Sequence, residues 1–221
     1  LAGKLCAVDG DYLPEVHRHD ISAVKGSLHL KDFSVERLRL PLKSDYAHVI
    51  QIIPGGVVSK NRIARVSRDE NGNFRRDPSA DIVKVAIVER HKYTGNVAVA
   101  LLGGYGIRRG AVALSVAHDS HNIIVVGVSD EEMACAVEAL VEQEGGIVLV
   151  RDGRVIERMP MPVAGLMSDQ SGQWVDERLT AIHKAAFQEL GIAGEVEPIM
   201  TLCFMSLPVI PALRLTTRGV I

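Results

Sequence analysis

The 221 residues are 47% hydrophobic and 24% charged, enough for one large domain with its own core, with or without a short extension. Charges of both signs are scattered and sum to a formal net charge of −2, which excludes the concentrated basic surface of a nucleic-acid-binding protein. We find no apolar run of about 18 residues that would span a membrane and no secretory signal, so we predict a cytoplasmic protein with no membrane partner.

The first 20 residues predict a short β segment followed by a charged linker. The apolar run "KLCAV" leads to Asp9-Gly10, a pair that favours the tight turn of a β-hairpin, and "PEVHRHD" then breaks the apolar pattern. We therefore place the main domain at residues 21–221 and treat residues 1–20 as a separate β segment with its linker.

The next part of the chain predicts mainly strands. Strands are expected at residues 47–53 and 57–67, and Asn71-Gly72 predicts the tip of a further hairpin. Four short β-branched runs follow, each apolar enough to be covered on both faces of a sheet. They occupy residues 81–90, 95–106, 110–117 and 122–128.

Two amphipathic helices are predicted to cover that sheet. One spans residues 130–144, where Ser129 and Glu132 have capping-box spacing, and the other spans residues 173–190 and ends at Gly191. His183 lies at the border of the second apolar stripe and is interpreted as a boundary residue. Asp152-Gly153 predicts a hairpin between the helices, and the apolar run 199–207 predicts another buried strand.

This order of elements predicts an α+β fold with a mixed sheet and two main helices, or an α/β-like layered variant, preceded by the short β segment. The three cysteines are far apart and have apolar neighbours, so we expect buried thiols of a reducing compartment and no disulfide framework. They are Cys6, Cys135 and Cys203.

Two polar clusters interrupt the apolar strands and mark the candidate site. Both lie at predicted strand ends, where a rigid sheet holds side chains in fixed positions next to an accessible loop. The first consists of Glu89, Arg90, His91 and Asn96, and the second is the pentad His118, Asp119, Ser120, His121 and Asn122.

The pentad leaves several interpretations open. In an extended segment His118 and Ser120 point to one side and Asp119 and His121 to the other, which keeps the histidines apart and argues against a self-contained metal centre, although a turn would bring them together. A Ser-His-Asp triad of sequence neighbours is disfavoured on geometry. A hydrogen-bonding wall for a planar polar ligand fits the mixture of donors and acceptors. A purely structural loop is the remaining interpretation.

Three other features mimic functional motifs. The glycine-rich run 103–110 misses dinucleotide-binding spacing and is interpreted as a turn between strands. The His17-Arg18-His19 motif resembles a metal-binding pair but lies in the charged linker. The basic residues between Lys60 and Arg76 are interleaved with acids and predict a solvated hairpin surface.

Three segments carry a specific resemblance to a known family. They are residues 81–127, with "ERH...TGN" and "AHDSHNIIVVG", residues 160–169, "PMPVAGLMSD", and residues 200–219, "MTLCFMSLPVIPALRLTTRG". Together they closely resemble the C-terminal part of bacterial and archaeal adenine deaminases of the amidohydrolase superfamily. Residues 1–13 similarly resemble the last strands of the small β-sandwich that accompanies the catalytic barrel of that superfamily.

The resemblance implies hydrolysis of adenine to hypoxanthine and ammonia, in purine salvage, with water activated by a divalent metal pair of manganese, iron or zinc. The metal would be held by an N-terminal barrel in cis or in trans, outside these 221 residues, so we expect no metal ligands here and no activity from this chain alone. We expect the two clusters to form a substrate-facing wall and the enzyme to be a homo-oligomer. The alternatives are a stand-alone purine-binding domain and an assembly domain without catalysis.

Overall fold

The computed structural model describes residues 2–17 and 19–221, which fold around one eight-stranded mixed sheet. The predicted α+β class is confirmed. Short two-stranded pairs lie at the start, in the middle and at the end of the described chain. The strands are β1 Ala7–Val8, β2 Asp11–Tyr12, β3 Tyr46–Ile52, β4 Ser59–Arg65, β5 Ser67–Arg68, β6 Phe74–Arg75, β7 Ile82–Val88, β8 Val97–Gly103, β9 Ala111–Leu114, β10 Ile123–Gly127, β11 Gly146–Arg151, β12 Arg154–Pro160, β13 Leu215–Thr216 and β14 Gly219–Val220.

Both predicted main helices are present, and each begins at a serine cap. The Ser129 hydroxyl accepts a hydrogen bond from the Glu132 amide, and Ser171 does the same for Trp174, which satisfies amide groups that have no partner within the helix. The α-helices are α1 Asp130–Glu142, α2 Gly172–Gln188 and α3 Pro198–Cys203, with 3-10 turns at Ser22–Val24 and Val35–Leu38.

The predicted strand at residues 199–207 is wrong, because this run forms helix α3. Pro198 occupies the first turn, where its missing N–H costs nothing, and the Glu197 carboxylate accepts a hydrogen bond from the Met200 amide. The run is buried on most sides, so its apolar residues show neither helical nor strand periodicity. A short apolar run of this kind is ambiguous from its sequence pattern alone.

The large sheet has the strand order β12-β11-β9-β10-β7-β8-β3-β4. All neighbours are antiparallel except β3 and β8, which pair in parallel. Strand β9 pairs with both β10 and β11, so the β10-α1-β11 passage brings two parallel strands to either side of β9. The β-α-β passage expected from the sequence is therefore present with one strand between its two members.

Both faces of the central strands are covered, as their uninterrupted apolar runs predict. All seven residues of β7 are buried. Side chains alternate along β10, where Ile124 and Val126 pack on the α2 and α3 side and Ile123 and Val125 pack on the α1 side. The sheet is thus a rigid middle layer, and only its loops and edges reach the solvent.

The N-terminal hairpin also follows the prediction. Asp9 and Gly10 have positive φ angles of 50° and 92°, which a tight hairpin turn requires, and Ala7 pairs with Tyr12. Of the three cysteines only Cys203 is buried, whereas Cys6 and Cys135 are half-buried, so the expectation of three buried thiols is wrong for those two.

Candidate functional site

Two loops meet at one edge of the large sheet, where β7 ends and β8 and β10 begin. We call residues 89–96 the first site loop and residues 118–122 the HDSHN turn. The pairing of Ile123 with Val88 places the two loops side by side, and the Glu89 amide closes the first loop by donating to the Asn96 carbonyl at 3.0 Å. The sheet therefore brings together the two polar clusters that the sequence separates.

The HDSHN segment is a turn and is not extended, so of the two conformations considered the one that brings the histidines together is present. The ring centroids of His118 and His121 are 5.5 Å apart in an edge-on arrangement. The His121 amide closes the turn on the Ala117 carbonyl at 2.6 Å, and His121 has a left-handed φ of 48°. A few non-glycine residues, histidine among them, adopt that conformation.

The end of helix α3 and the residues that follow it contact His118. The His118 amide donates to the Cys203 carbonyl at 2.8 Å, and the Ser206 hydroxyl donates to the His118 carbonyl at 2.9 Å. The His118 ring lies on Phe204 with centroids 4.9 Å apart. The end of α3 thus fixes the start of the turn, although the sequence pattern at 199–207 did not predict a helix there.

The Glu89 carboxylate organises the first site loop. It accepts four hydrogen bonds of 2.6 to 2.9 Å, from the amides of His91, Lys92 and Thr94 and from the Thr94 hydroxyl. Burial opposes ionisation, but these donors outweigh it and lower the pKa of Glu89 to about 2. Glu89 therefore stays ionised and serves as a fixed anchor, and it does not exchange protons near neutral pH.

Arg90 is the most deeply buried member of the site, with 1% of its surface exposed. Its guanidinium donates to the carbonyls of His121, at 2.6 Å, and Ala164, at 3.1 Å. It also donates to both oxygens of Ser27 at 3.2 Å. The predicted wall residue Arg90 thus points into protein and is kept from the open surface.

Two further contacts join the site loops directly. The Asn122 side-chain oxygen accepts from the Arg90 amide at 3.3 Å, and His91 Nε2 is 2.8 Å from the Ser120 carbonyl. Asn122 is buried, whereas His91 is exposed. With the bond from Arg90 to the His121 carbonyl, the first site loop uses two side chains and the HDSHN turn uses one to bind the backbone of the other.

A cavity of about 320 Å³ opens between the loops and the turn that joins β13 to β14. Five of the nine predicted wall residues line it, namely Glu89, His91, Asn96, Ser120 and Asn122. Sequence reasoning missed four lining residues. These are Lys92 and Thr94, within the first site loop, and Thr217 and Arg218, for which the sequence offers no signal because they lie about 120 residues further along the chain.

The remaining predicted residues, Arg90, His118, Asp119 and His121, lie outside that lining. The Asp119 side chain is 86% exposed, and its carboxylate is 3.9 Å from His118 Nδ1. Burial, followed by the neighbouring His118 and Arg90, lowers the pKa of His121, against an opposing effect of Asp119. His121 is therefore a neutral imidazole near pH 7, with a buried Nδ1 that has no partner among the described residues.

These residues do not form a metal centre. In the described ranges 2–17 and 19–221, no group of three or more His, Cys, Asp or Glu side chains is placed to hold a metal ion. His118 and His121 alone supply two imidazoles, fewer than the three or four protein ligands of a zinc site. The metal pair that the family resemblance implies does not fit this part of the chain, and we derive no catalytic step through it.

The other motif-like features have local roles. The glycine-rich run 103–110 links β8 to β9 as a loop, as predicted. His183 bonds the Leu179 carbonyl and the Glu197 carboxylate, which agrees with its interpretation as a boundary residue. In the 17–19 motif, Arg18 lies outside the described residues.

Polar loops gathered around a cavity at one edge of a covered mixed sheet define an α+β domain with a loop-built site. The chain belongs to the adenine deaminase C-terminal domain family, whose model matches residues 56–221. The predicted domain start at residue 21 stays a prediction. No helix among the described residues is both long enough and apolar enough to cross a membrane.

Curated relatives with high similarity carry the same family name. The chain is 60% identical over 217 residues to "Adenine deaminase 2" of Desulfotalea psychrophila, covering 98% of this chain. It is 43% identical over 221 residues to "Adenine deaminase" of Ligilactobacillus salivarius, covering 100% of this chain. In both cases the chain spans 38% of the relative's length.

Proposed function

We propose that this chain is the C-terminal part of an adenine deaminase, which hydrolyses adenine to hypoxanthine and ammonia once the chain is joined to a metal-binding barrel. The observation that carries the proposal is the 60% identity to a protein named adenine deaminase over nearly the whole chain. Since that match spans 38% of the relative, the remaining residues of such an enzyme leave room for the barrel, in cis or in trans.

Within that enzyme, we assign the site loops to a wall that faces the purine. Adenine presents both donors and acceptors around a planar ring, and the wall has both kinds of group. A cavity of about 320 Å³ lies within the size range of small-molecule sites. His91, Asn96, Ser120 and Asn122 line the cavity. His118, Asp119 and His121 belong to the same turn outside that lining, and we assign them to the wall together with the lining residues.

In this arrangement Glu89 and Arg90 hold the two loops in place, Glu89 at the cavity lining and Arg90 buried outside it. Glu89 holds the first site loop and Arg90 holds the HDSHN turn, and Arg90 does so without lining the cavity. A polar site rejects the wrong ligand by leaving its own groups unpaired, and this requires that the groups be held in place. The two buried residues meet that requirement.

We place the divalent metal pair, whether manganese, iron or zinc, on the barrel. Manganese as the metal used, purine salvage as the pathway and the cytoplasm as the location rest on the family resemblance. We also propose a homo-oligomer, and the exposed apolar segment around Val209, which is 83% exposed, supports it. Light scattering that gives a monomeric mass would contradict the oligomer.

Ammonia release tests the proposed activity. The chain joined to its barrel, or co-expressed with it, should release ammonia from adenine in the presence of manganese, and the isolated chain should not. Absence of turnover in the joined protein contradicts the proposal. Binding of adenine by the isolated chain, with no turnover in any form, would instead favour a stand-alone purine-binding domain.

Single substitutions test the wall in the joined enzyme. Asp119→Ala and His121→Ala should each lower turnover at least about tenfold, which corresponds to about 1.4 kcal/mol of transition-state stabilisation. His48→Ala is the matched control, because His48 is an exposed histidine of β3 that bonds Asn61 away from the site. Wild-type turnover in both wall variants would show that the pentad is structural.

A further inference from the structure

Arg90 carries a buried positive charge that is compensated by neutral oxygens. In the described part of the chain its guanidinium has four oxygen partners, all of them carbonyl or hydroxyl groups, and it forms no ion pair with a carboxylate. The adjacent Glu89 carboxylate is occupied by the amides of its own loop. A buried cation needs this complete set of acceptors, because an unsatisfied charge away from water is costly.

The acceptors come from three separate segments of the chain. They belong to Ser27, to His121 in the HDSHN turn and to Ala164 in the loop after β12. The His29 amide also donates to the Arg90 carbonyl at 3.0 Å. The planar fork of a guanidinium fixes the directions of its N–H groups, so the three segments are held at defined relative positions.

The backbone of the loop after β12 packs closely against the guanidinium. Gly165 has a φ of +72°, and a Cβ atom built there would lie 3.0 Å from Arg90 Nη1. The Gly165 carbonyl is held in turn by the Ser115 hydroxyl at 2.5 Å. The loop after β12 therefore approaches Arg90 closely because it has a glycine at that position.

Arg90 holds the HDSHN turn at two points. Its amide donates to the Asn122 side chain and its Nε donates to the His121 carbonyl. The imidazole of His121 contributes little to this fixation, because its buried Nδ1 has no partner among the described residues. We infer that Arg90 is a positioning residue, which sets the position of His121 and Asn122 without contacting the ligand. This inference rests on the proposed function.

The electrostatic environment of His121 agrees with this assignment. Burial is the main cause of its lowered pKa, and the charges of His118, Arg90 and His91 act in the same direction while Asp119 opposes them. Removing the Arg90 charge should therefore raise the pKa of His121. This gives a readout that does not depend on turnover.

The test uses the joined enzyme with Arg90→Met and Arg90→Lys. Arg90→Met keeps an unbranched apolar side chain and the backbone amide but removes every guanidinium N–H donor. Misplacement of a site group by about 1 Å can cost about a hundredfold in rate. We expect kcat to fall at least about tenfold, with a smaller change in KM. Arg90→Lys keeps the charge but loses the fork, so it should recover part of the lost kcat.

Lys84→Met is the matched control, since it removes the buried cation of β7, the strand that leads into the first site loop. Lys84 bonds Asp130 and the Leu38 carbonyl, away from the site loops. Its variant should lose stability and keep the wild-type kcat. If Arg90→Met is insoluble, Arg90→Lys alone decides, and a wild-type kcat in that variant contradicts the inference.

Isotope-labelled histidine separates the two proposals. An inactive wild-type enzyme would contradict the proposed function, and the imidazole resonances of His121 would still report on Arg90. We expect Arg90→Met to shift those resonances and raise the pKa of His121, while Lys84→Met leaves both unchanged. A folded Arg90→Met enzyme with unchanged His121 resonances and unchanged kcat overturns the inference.

Discussion

One buried cation lies in strand β7 and another lies in the loop that follows it, and the two are held in different ways. Lys84, near the start of the strand, pairs with the Asp130 carboxylate at the first turn of α1 and with one carbonyl. Arg90, just beyond the other end, has within residues 2–17 and 19–221 only neutral oxygen partners, which come from three segments. The first arrangement joins a helix to the sheet, and the second fixes the loops of the candidate site.

The two cations differ in how strictly they fix the positions of their partners. An ammonium group is a compact charge whose single bond to a carboxylate tolerates some rotation, whereas a guanidinium imposes fixed directions on several partners. The Lys84 end therefore tolerates small shifts without consequence for the site. At the Arg90 end, the same shifts would move the groups that face the ligand.

Arg90→Met should have the largest effect on stability. It leaves three backbone carbonyls and a hydroxyl without their donors, and we expect the free energy of unfolding to fall by about 3 kcal/mol. Urea denaturation followed by circular dichroism measures this loss. A decrease smaller than that of Lys84→Met would remove the proposed difference between the two cations.

Glu89→Gln should lower the free energy of unfolding by about 2 kcal/mol at neutral pH. The carboxylate of Glu89 accepts hydrogen bonds from the loop amides, whereas the amide group of Gln would turn N–H donors towards the same amides. The pH dependence identifies the cause. The pKa of Glu89 is lowered from 4.5 to about 2, so its contribution is present above pH 4.5 and is lost as the pH falls towards 2. Urea titrations of both proteins across this range should show the loss only with Glu89, and parallel curves would contradict the anchor role.

Lys84→Met should lower the free energy of unfolding by about 1.5 kcal/mol, which is less than the loss expected for Arg90→Met. The N-terminus of α1 still stabilises the Asp130 carboxylate when the lysine is gone. Denaturation and ammonia release are measured on the same preparation. Lower stability with unchanged turnover would show that Lys84 stabilises the fold without affecting the candidate site. A parallel loss of turnover would show that the site depends on the whole sheet.

The smallest effect on stability is expected for His183, which lies in helix α2. Burial disfavours its charged form, but hydrogen bonds to Glu197 and to the Leu179 carbonyl outweigh burial and raise the pKa of His183 above 6.5. The protonated His183 therefore contributes about 0.5 kcal/mol to the free energy of unfolding below pH 6.5, and this contribution is lost as the pH rises above that value. Denaturation at pH 6 and pH 8 should show this loss in the wild type and no loss in His183→Gln.

The sequence predicted the parts of the fold that local chemistry determines. Asp9-Gly10 and Asp152-Gly153 marked their hairpins, Ser129 marked the start of α1, and the β-branched runs marked the central strands. Helix α3 escaped prediction because its apolar run is buried on most sides, so no period was visible. Pro198, at the first helical position, was the signal that could have identified it, and the structure adds the cap at Glu197.

The candidate site was only partly predictable for a different reason. Both polar clusters were located because they interrupt apolar runs, but the pattern could not show that the HDSHN segment turns and brings His118 beside His121. Nor could it show that Arg90 points inward, because its partners are backbone carbonyls from distant segments. Thr217 and Arg218 reach the cavity only through the tertiary fold.

The central claim is that the first site loop and the HDSHN turn face the purine. Hydrogen–deuterium exchange of the joined enzyme, with and without saturating hypoxanthine, tests it most directly, because the product binds without being consumed. We predict slower exchange in peptides covering residues 89–96 and 118–122, and no change in the hairpin at residues 67–75. Unchanged exchange in both site loops, with hypoxanthine binding verified by inhibition, would contradict the claim.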